Sequence, residues 1–370
     1  MKYYIIAGEA SGDLHGSNLM LGIYSKDPEA DIRFWGGDLM LGAAAGASGH
    51  LVRHYREGAV MGLSDVLGKA GRLLSNLKSC KQDIMAWKPD VVILIDYPGF
   101  NFRIAEFAHK NGFKVFYYIA PKTWASREGR NRKLKEFVDG LFIVFPFEIP
   151  YFEKKGIPFV YKGNPLVDAV DAHEYVRPCE ERYVAVLPGS RKGEISRMMP
   201  VCMEVADRLG CRVIVAGAPA RSKKDYLPYM AGRENVTLLS GRTYDILKYA
   251  DAAVINSGTA SLEAALIGTP QVVCWSTSRL TYLAAKHILK VGDHVRYISL
   301  ANLILDKGIF KELIQNDFNA DAVTEEVRRL MDDQQYRACM AHDYSEVREA
   351  LGGTGASESV AEEMINMLTA

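Results

Sequence analysis

Short runs of apolar residues recur along the whole chain, each followed by a polar turn and a helix-length segment with apolar positions at helical spacing. The runs read YYIIAG, DVVILID, KVFYYIAP, GLFIVFPF, PFVYKGNP, YVAVLPGS, RVIVAGAP, NVTLLSG, AAVINSG and PQVVCW. Runs without polar alternation predict strands covered on both faces, and strands separated by helices predict parallel βαβ units. The pattern therefore predicts an α/β chain of doubly wound parallel sheets. The series restarts at ERYVAVLPGSR after the polar stretch DAHEYVRPCEER, which predicts a boundary near residues 168–182. Two Rossmann-like domains of similar size follow, residues 1–170 and 171–345, facing a cleft. Residues 346–370 form a helical tail expected to pack back on the first domain. Ligands of such sheets bind beyond the carboxyl ends of the strands.

Composition narrows this picture. The chain has 370 residues, enough for two cores, and its formal net charge is zero, so no general field draws it to nucleic acid. Its 6 cysteines contain no Cys-x-x-Cys spacing and its 8 histidines are scattered apart from His50 and His54, so neither a disulfide framework nor a metal site is expected. No apolar run approaches the roughly 20 residues of a membrane span. The first residues enter a strand directly, which predicts no cleaved leader and a cytoplasmic chain.

Three strand-end loops carry the candidate chemistry. The first, Gly8-Glu9-Ala10-Ser11-Gly12-Asp13, combines glycines suited to close backbone approach with two acids that would repel a phosphate. It fits sugar hydroxyls better, with Ser11, Gly12 and Asp13 near the ligand; in the alternative, Asp13 only caps the first helix. The second, Pro188-Gly189-Ser190-Arg191, offers backbone donors and a guanidinium that binds phosphate bidentately. The third, Ser257-Gly258-Thr259, opens a helix with Glu263 one turn in, a residue able to accept from a ribose diol. The alternatives are a plain strand–turn–helix junction for the second and a capping box, Thr259 with Glu263, for the third. Neither is a Walker loop or Gly-x-Gly-x-x-Gly, which disfavours ATP and NAD.

Taken in order, AGEASGDLHG, VMGLSDVL, PDVVILIDYPGFN, YYIAPKTWA, GNPLVD, LPGSR, SGTASLEAAL, ISLANL and GASESVAEEM closely resemble the lipid-A-disaccharide synthases, a GT-B glycosyltransferase family of Gram-negative bacteria. The resemblance runs nearly end to end. It implies transfer from UDP-2,3-diacylglucosamine to 2,3-diacylglucosamine 1-phosphate, inversion to a β-1′,6 bond, release of UDP, and no cofactor or metal. The chain departs from the family pattern at Ala120 and Ser126, in the 120s loop, and at Asn164. Within that reading Asp96, at the end of DVVILID, is the expected base and Glu9 the second choice. Gly189, Ser190, Arg191, Ser257, Gly258, Thr259 and Glu263 would hold UDP, with Asn302 in the cleft. Competing classes are other GT-B transferases, a UDP-N-acetylglucosamine 2-epimerase and a non-catalytic nucleotide-sugar module.

Acyl chains hold such an acceptor in a bilayer, at about 0.8 kcal/mol per CH₂. The stretch from Ala59 to Asp90 mixes Leu63, Val66, Leu67, Leu73, Leu74 and Leu77 with Lys69, Arg72, Lys78 and Lys81. Leu67, Lys69, Arg72 and Leu73 are the expected contacts with the anionic inner face of the inner membrane. The alternative is an ordinary helix packed on the sheet. A homodimer is left open.

Overall fold

A computed structural model describes residues 1–59, 66–124, 128–277 and 296–370, the side chains of residues 58, 59 and 66–70 excepted. The chain divides into two compact units, Met1–Ala169 with Gly353–Ala370, and Val170–Gly352. Every apolar run named above forms a strand.

The first unit holds seven parallel strands: β1 (Lys2–Ala7), β2 (Asp31–Gly36), β3 (Gly49–His54), β4 (Val91–Ile95), β5 (Lys114–Tyr118), β6 (Gly140–Ile143) and β7 (Val160–Tyr161). Their order is β3-β2-β1-β4-β5-β6-β7. The second unit holds six: β8 (Tyr183–Leu187), β9 (Arg212–Gly217), β10 (Val236–Ser240), β11 (Ala252–Asn256), β12 (Gln271–Trp275) and β13 (Glu312–Ile314), ordered β10-β9-β8-β11-β12-β13. Both sheets run outward in opposite directions from a central pair, β1/β4 and β8/β11. The connections diverge beyond the carboxyl ends of that pair, which opens a crevice there. All four central strands are buried along nearly their whole length. This is why their sequences carry no alternation.

Three strands, β2, β3 and β13, have no counterpart among the predicted runs. β2 reads DIRFWG, with Asp31 and Arg33 half-buried. β3 reads GHLVRH and lies at a sheet edge with no fully buried residue. β13 has three residues, also at an edge. Such strands bury too little to produce a continuous apolar run.

The C-terminal helix, Ala356–Thr369, belongs to the first unit and packs along the first helix, Ala10–Lys26. Contact is close because Gly22 has no side chain: a Cβ there would lie 3.0 Å from the Ser357 carbonyl oxygen and 3.1 Å from the Ala361 Cβ. Lys26 pairs with Glu358 at 3.0 Å. Asp168 accepts from the amides of Gly355 (2.6 Å) and Ser357 (3.0 Å), capping the C-terminal helix.

Candidate active site

In the first unit the crevice falls between the ends of β1 and β4, where Glu9 and Asp96 emerge. Asp96 and Tyr97 both adopt left-handed backbone, with φ of 43° and 44°. Two consecutive non-glycine residues in this region are costly unless neighbours hold them. Here they are held. The Asp96 carbonyl accepts from the Tyr117 hydroxyl (2.6 Å) and the Asn101 amide (2.8 Å), and Asn101 also reaches the Ile95 carbonyl at 3.2 Å. The twist leaves Asp96 exposed and lays the Tyr97 ring over Gly8, where a Cβ would collide with it. That close approach is the reason for the first glycine of the loop. Burial pushes the Tyr97 phenol upward and the nearby Glu9 carboxylate adds to it, so Glu9 and the turn after β4 share one electrostatic neighbourhood. Burial and then the Asp96 charge raise the Tyr117 phenol, with Arg130 acting the other way. Sequence reasoning missed Asn101 and Tyr117 because their contribution is to hold the Asp96 backbone rather than to form a motif.

The rest of the first loop divides by environment. Ser11 is half-buried and Gly12 packs its Cα face on Ala7, where a Cβ would lie 3.2 Å from the Ala7 Cβ. Asp13 requires a correction: it is 2 % exposed, and its carboxylate accepts from the amides of Gly37 (2.7 Å), Leu39 (3.1 Å) and Met40 (3.1 Å). It caps the short helix Asp38–Ala43, not its own helix, and is spent on backbone rather than presented to a ligand.

The 120s segment borders the end of β6. Ala120 is buried, and Trp124 donates its indole N–H to Glu148 at 3.2 Å. Glu148 is 1 % exposed and also accepts from the amides of Val144 (3.3 Å) and Phe145 (3.1 Å). Burial lifts its carboxyl to about 7, against the pull of those donors. Asn164 uses its amide on the Val144 carbonyl (2.8 Å) and accepts from the Leu166 amide (2.9 Å). Ser126 lies outside the described residues.

In the second unit the two predicted loops meet at the same switch point, one after β8 and one after β11. Gly189 has φ of 102°, and a Cβ would collide with Glu194. Glu194 turns its carboxylate onto the amides of Ser190 (3.0 Å) and Arg191 (3.1 Å), so an anion from the chain itself occupies the donors assigned to phosphate. After β11 the N-cap of the helix Thr259–Ile267 is Gly258, not Thr259, and among the described residues no side chain caps it. Without such a cap, this helix start keeps the orphan donors typical of a helix N-terminus. Ser257 donates from its amide to the Cys274 carbonyl at 2.9 Å. Glu263 accepts from the Tyr244 hydroxyl at 3.1 Å and is not part of a capping box; burial lifts it to about 7, opposed by that hydrogen bond.

Asn302 is a second correction. It is fully buried, donates to the Phe310 carbonyl (3.1 Å) and Glu312 (3.0 Å), and accepts from the Ile309 amide (3.0 Å). Glu312 in turn accepts from the amides of Ile298 (3.0 Å) and Ser299 (2.9 Å) and from the Ser299 hydroxyl. Asn302 braces the segment leading into β13, and its polar atoms face no opening. Among the described residues, no group of three or more His, Cys, Asp or Glu side chains could hold a metal ion.

A family model described as lipid-A-disaccharide synthetase matches residues 3–365. Curated relatives named lipid-A-disaccharide synthase include those of Syntrophus aciditrophicus (39% identical, 96% of this chain and 95% of the relative) and Geobacter metallireducens (38% identical, 99% and 97%). This chain belongs to the lipid-A-disaccharide synthase family. The family's enzymes are glycosyltransferases of lipid A biosynthesis, acting on a UDP-sugar donor and a lipid acceptor. The fold agrees. A UDP-GlcNAc 2-epimerase from Neisseria meningitidis, solved with UDP-GlcNAc, aligns at TM-score 0.69 and 14% identity over 99% of this chain and all of the other. A calicheamicin glycosyltransferase aligns at TM-score 0.60 and 15% identity, over 100% and 98%. At such identities the likeness establishes the two-sheet GT-B architecture alone, and family membership disfavours the epimerase alternative.

For a lipid-A-disaccharide synthase the helix Val66–Trp87 is the natural place to look for a lipid-facing surface. Leu67 and Lys69 have side chains outside the described residues, and Leu63 lies there entirely. From Arg72 onward the stripe divides. Leu73, Leu77, Cys80 and Ile84 face the core, so this stretch follows the ordinary packed-helix alternative. Leu74 is 65% exposed, and Arg72 and Lys78 are exposed beside it. Lys78, Lys81, Arg103 and Lys110 line a shallow groove between this helix and Pro98–Lys110, with Lys81 5.0 Å from the Phe107 ring centroid. No described helix is long and apolar enough to cross a membrane.

Proposed function

We propose that the chain joins UDP-2,3-diacylglucosamine to 2,3-diacylglucosamine 1-phosphate (lipid X), forming the β-1′,6 tetraacyl disaccharide 1-phosphate and UDP. Family membership carries the reading. In support, the candidate residues of each unit gather at the switch point of its own sheet. In the first unit, which receives the acceptor, Asp96 takes the proton of the 6-hydroxyl as its oxygen attacks the anomeric carbon, with Glu9 the second choice. The bond from that carbon to the UDP oxygen breaks as the new one forms, so the centre inverts. In the second unit the Arg191 guanidinium and the helix start at Ser257–Thr259 hold the diphosphate and stabilise the charge it gains on leaving, while the amides of Ser190 and Arg191 stay with Glu194. Glu263 receives the ribose diol.

Arg72 and Leu74, with the groove of Lys78, Lys81, Arg103 and Lys110, dock the first unit on the anionic inner face of the inner membrane, and Leu73, expected there, packs on the core instead. The deciding experiment incubates the protein with UDP-diacylglucosamine, with and without the monosaccharide phosphate, and follows products by mass spectrometry. Acceptor-dependent UDP release with a tetraacyl disaccharide is expected. UDP release from UDP-N-acetylglucosamine alone would move the chain to the epimerase class.

A further inference from the structure

The first unit contains a cavity at the carboxyl ends of β1, β2 and β3 that the roles above leave unused. Its walls include the rings of Trp35, Tyr97 and Phe100, and Arg53, His54 and Asn76 supply its polar groups. The Arg53 guanidinium lies 5.5 Å from the Trp35 ring centroid. A stacked guanidinium keeps its N–H edge for a bidentate acceptor, and stacking reduces the freedom it would lose on binding. Its ion-pair partner Glu57 is 3.8 Å away and 62% exposed, so the competing interaction is weak. His54 is committed: its Nε2 lies 3.2 Å from Asp38, and its Nδ1 accepts from the Arg56 amide at 3.1 Å. It forms a fixed wall rather than a ligand-seeking group. Two residues of the cavity, Gly8 and Tyr97, are the chain neighbours of Glu9 and Asp96. A ligand seated here therefore lies beside the two turns that carry those acids. A stacked arginine whose N–H edge borders a small cavity matches a phosphate group rather than a sugar ring.

We propose that the phosphate group of the acceptor seats against Arg53 at this cavity, the sugar ring lying outside it, and that Arg53 discriminates a phosphorylated from an unphosphorylated acceptor. The assignment rests on the acceptor role given above to the first unit. Phosphate is also present in the donor, so the test separates the two. Initial rates are measured for the full chain and for Arg53→Ala and Arg53→Lys, with 2,3-diacylglucosamine 1-phosphate and with its dephosphorylated form. Arg53→Ala should raise KM for the phosphorylated acceptor by about 10–100-fold, as expected for loss of one charge-assisted pair. Donor KM should stay within about 2-fold, Arg53→Lys should recover part of the loss, and wild type and variant should converge on the dephosphorylated acceptor. An unchanged KM, an equal loss on both acceptors, or a loss confined to the donor would each overturn the proposal. If Arg53→Ala melts early, Asn76→Asp places a repelling charge in the same cavity and should give the same acceptor-selective loss. Should the wild type form no disaccharide, the transfer reading falls while the site is still decided by direct binding: glucosamine 1-phosphate bound by wild type and lost in Arg53→Ala upholds it, and equal binding by both refutes it.

Discussion

Asp96 and Tyr97 stand on consecutive left-handed backbone, and Tyr117 and Asn101 hold the Asp96 carbonyl there. Strain of about 1–3 kcal/mol per residue persists where the surroundings over-determine it. Here the strain turns a strand-end carboxylate outward and leaves the braces behind it. Asp96→Asn keeps those carbonyl contacts, so thermal stability should be unchanged while kcat falls by about 10²–10⁴-fold, the usual contribution of a positioned base. Near-normal turnover would remove Asp96 from the role.

Glu263 gives a pH signature of a different kind. Its carboxyl is lifted to about 7 by burial, so it is largely neutral below that and charged above. If the charged form receives the ribose, donor KM should rise as pH falls through about 7. Glu263→Gln should give a higher, flat profile. The stability sign is opposite: a raised acid favours the folded state when protonated, and that contribution is lost as pH rises from the ordinary carboxylate range toward 7. Glu148, lifted to about 7 in the same way, acts in the same direction.

Among the elements, the pairing of the first and last helices shows how one residue sets a packing distance. Gly22 faces the Ser357 carbonyl and Ala361 at contact distance. A Gly22→Val side chain would have to displace helix backbone, which does not yield as a flexible side chain does. Overpacking of this kind costs about 1–3 kcal/mol, so a lower Tm and freer proteolysis near Gly353 are expected. An unchanged melt would show that the two helices separate readily. The same scale explains the strands that the hydrophobic pattern did not reveal. β3 and β13 sit at edges, and β2 alternates charged and apolar positions, so none presents an unbroken apolar run.

For the whole molecule, each unit repeats one plan: a sheet wound outward from a central pair, with candidate residues at the switch point. The repetition places acid-bearing loops in the first unit and, in the second, the loops after β8 and β11 that the proposal gives to the diphosphate. Net charge is zero over the 370 residues, so the proposed membrane docking requires a local patch rather than a global field. The exposed Leu74 beside Arg72 and the basic groove supply such a local patch. Co-sedimentation with anionic vesicles should be strong at low salt and weaken as salt rises, at about 1 kcal/mol per basic residue engaged. A protein that stays in the supernatant at low salt would exclude the surface role.

Sequence alone determined the strand-end loops at Glu9, Asp96, Gly189 and Ser257, the α/β class and the family. These depend on local turn chemistry, on burial of both strand faces and on a motif order that survives without coordinates. Tertiary structure alone decided what several polar side chains are for. Asp13 serves the backbone at Gly37–Met40, Asn302 holds the segment at 309–312, and Arg53 lies over Trp35. A buried polar group must find a partner, but the partner is chosen by which elements the sheet brings alongside, and no local pattern encodes that choice.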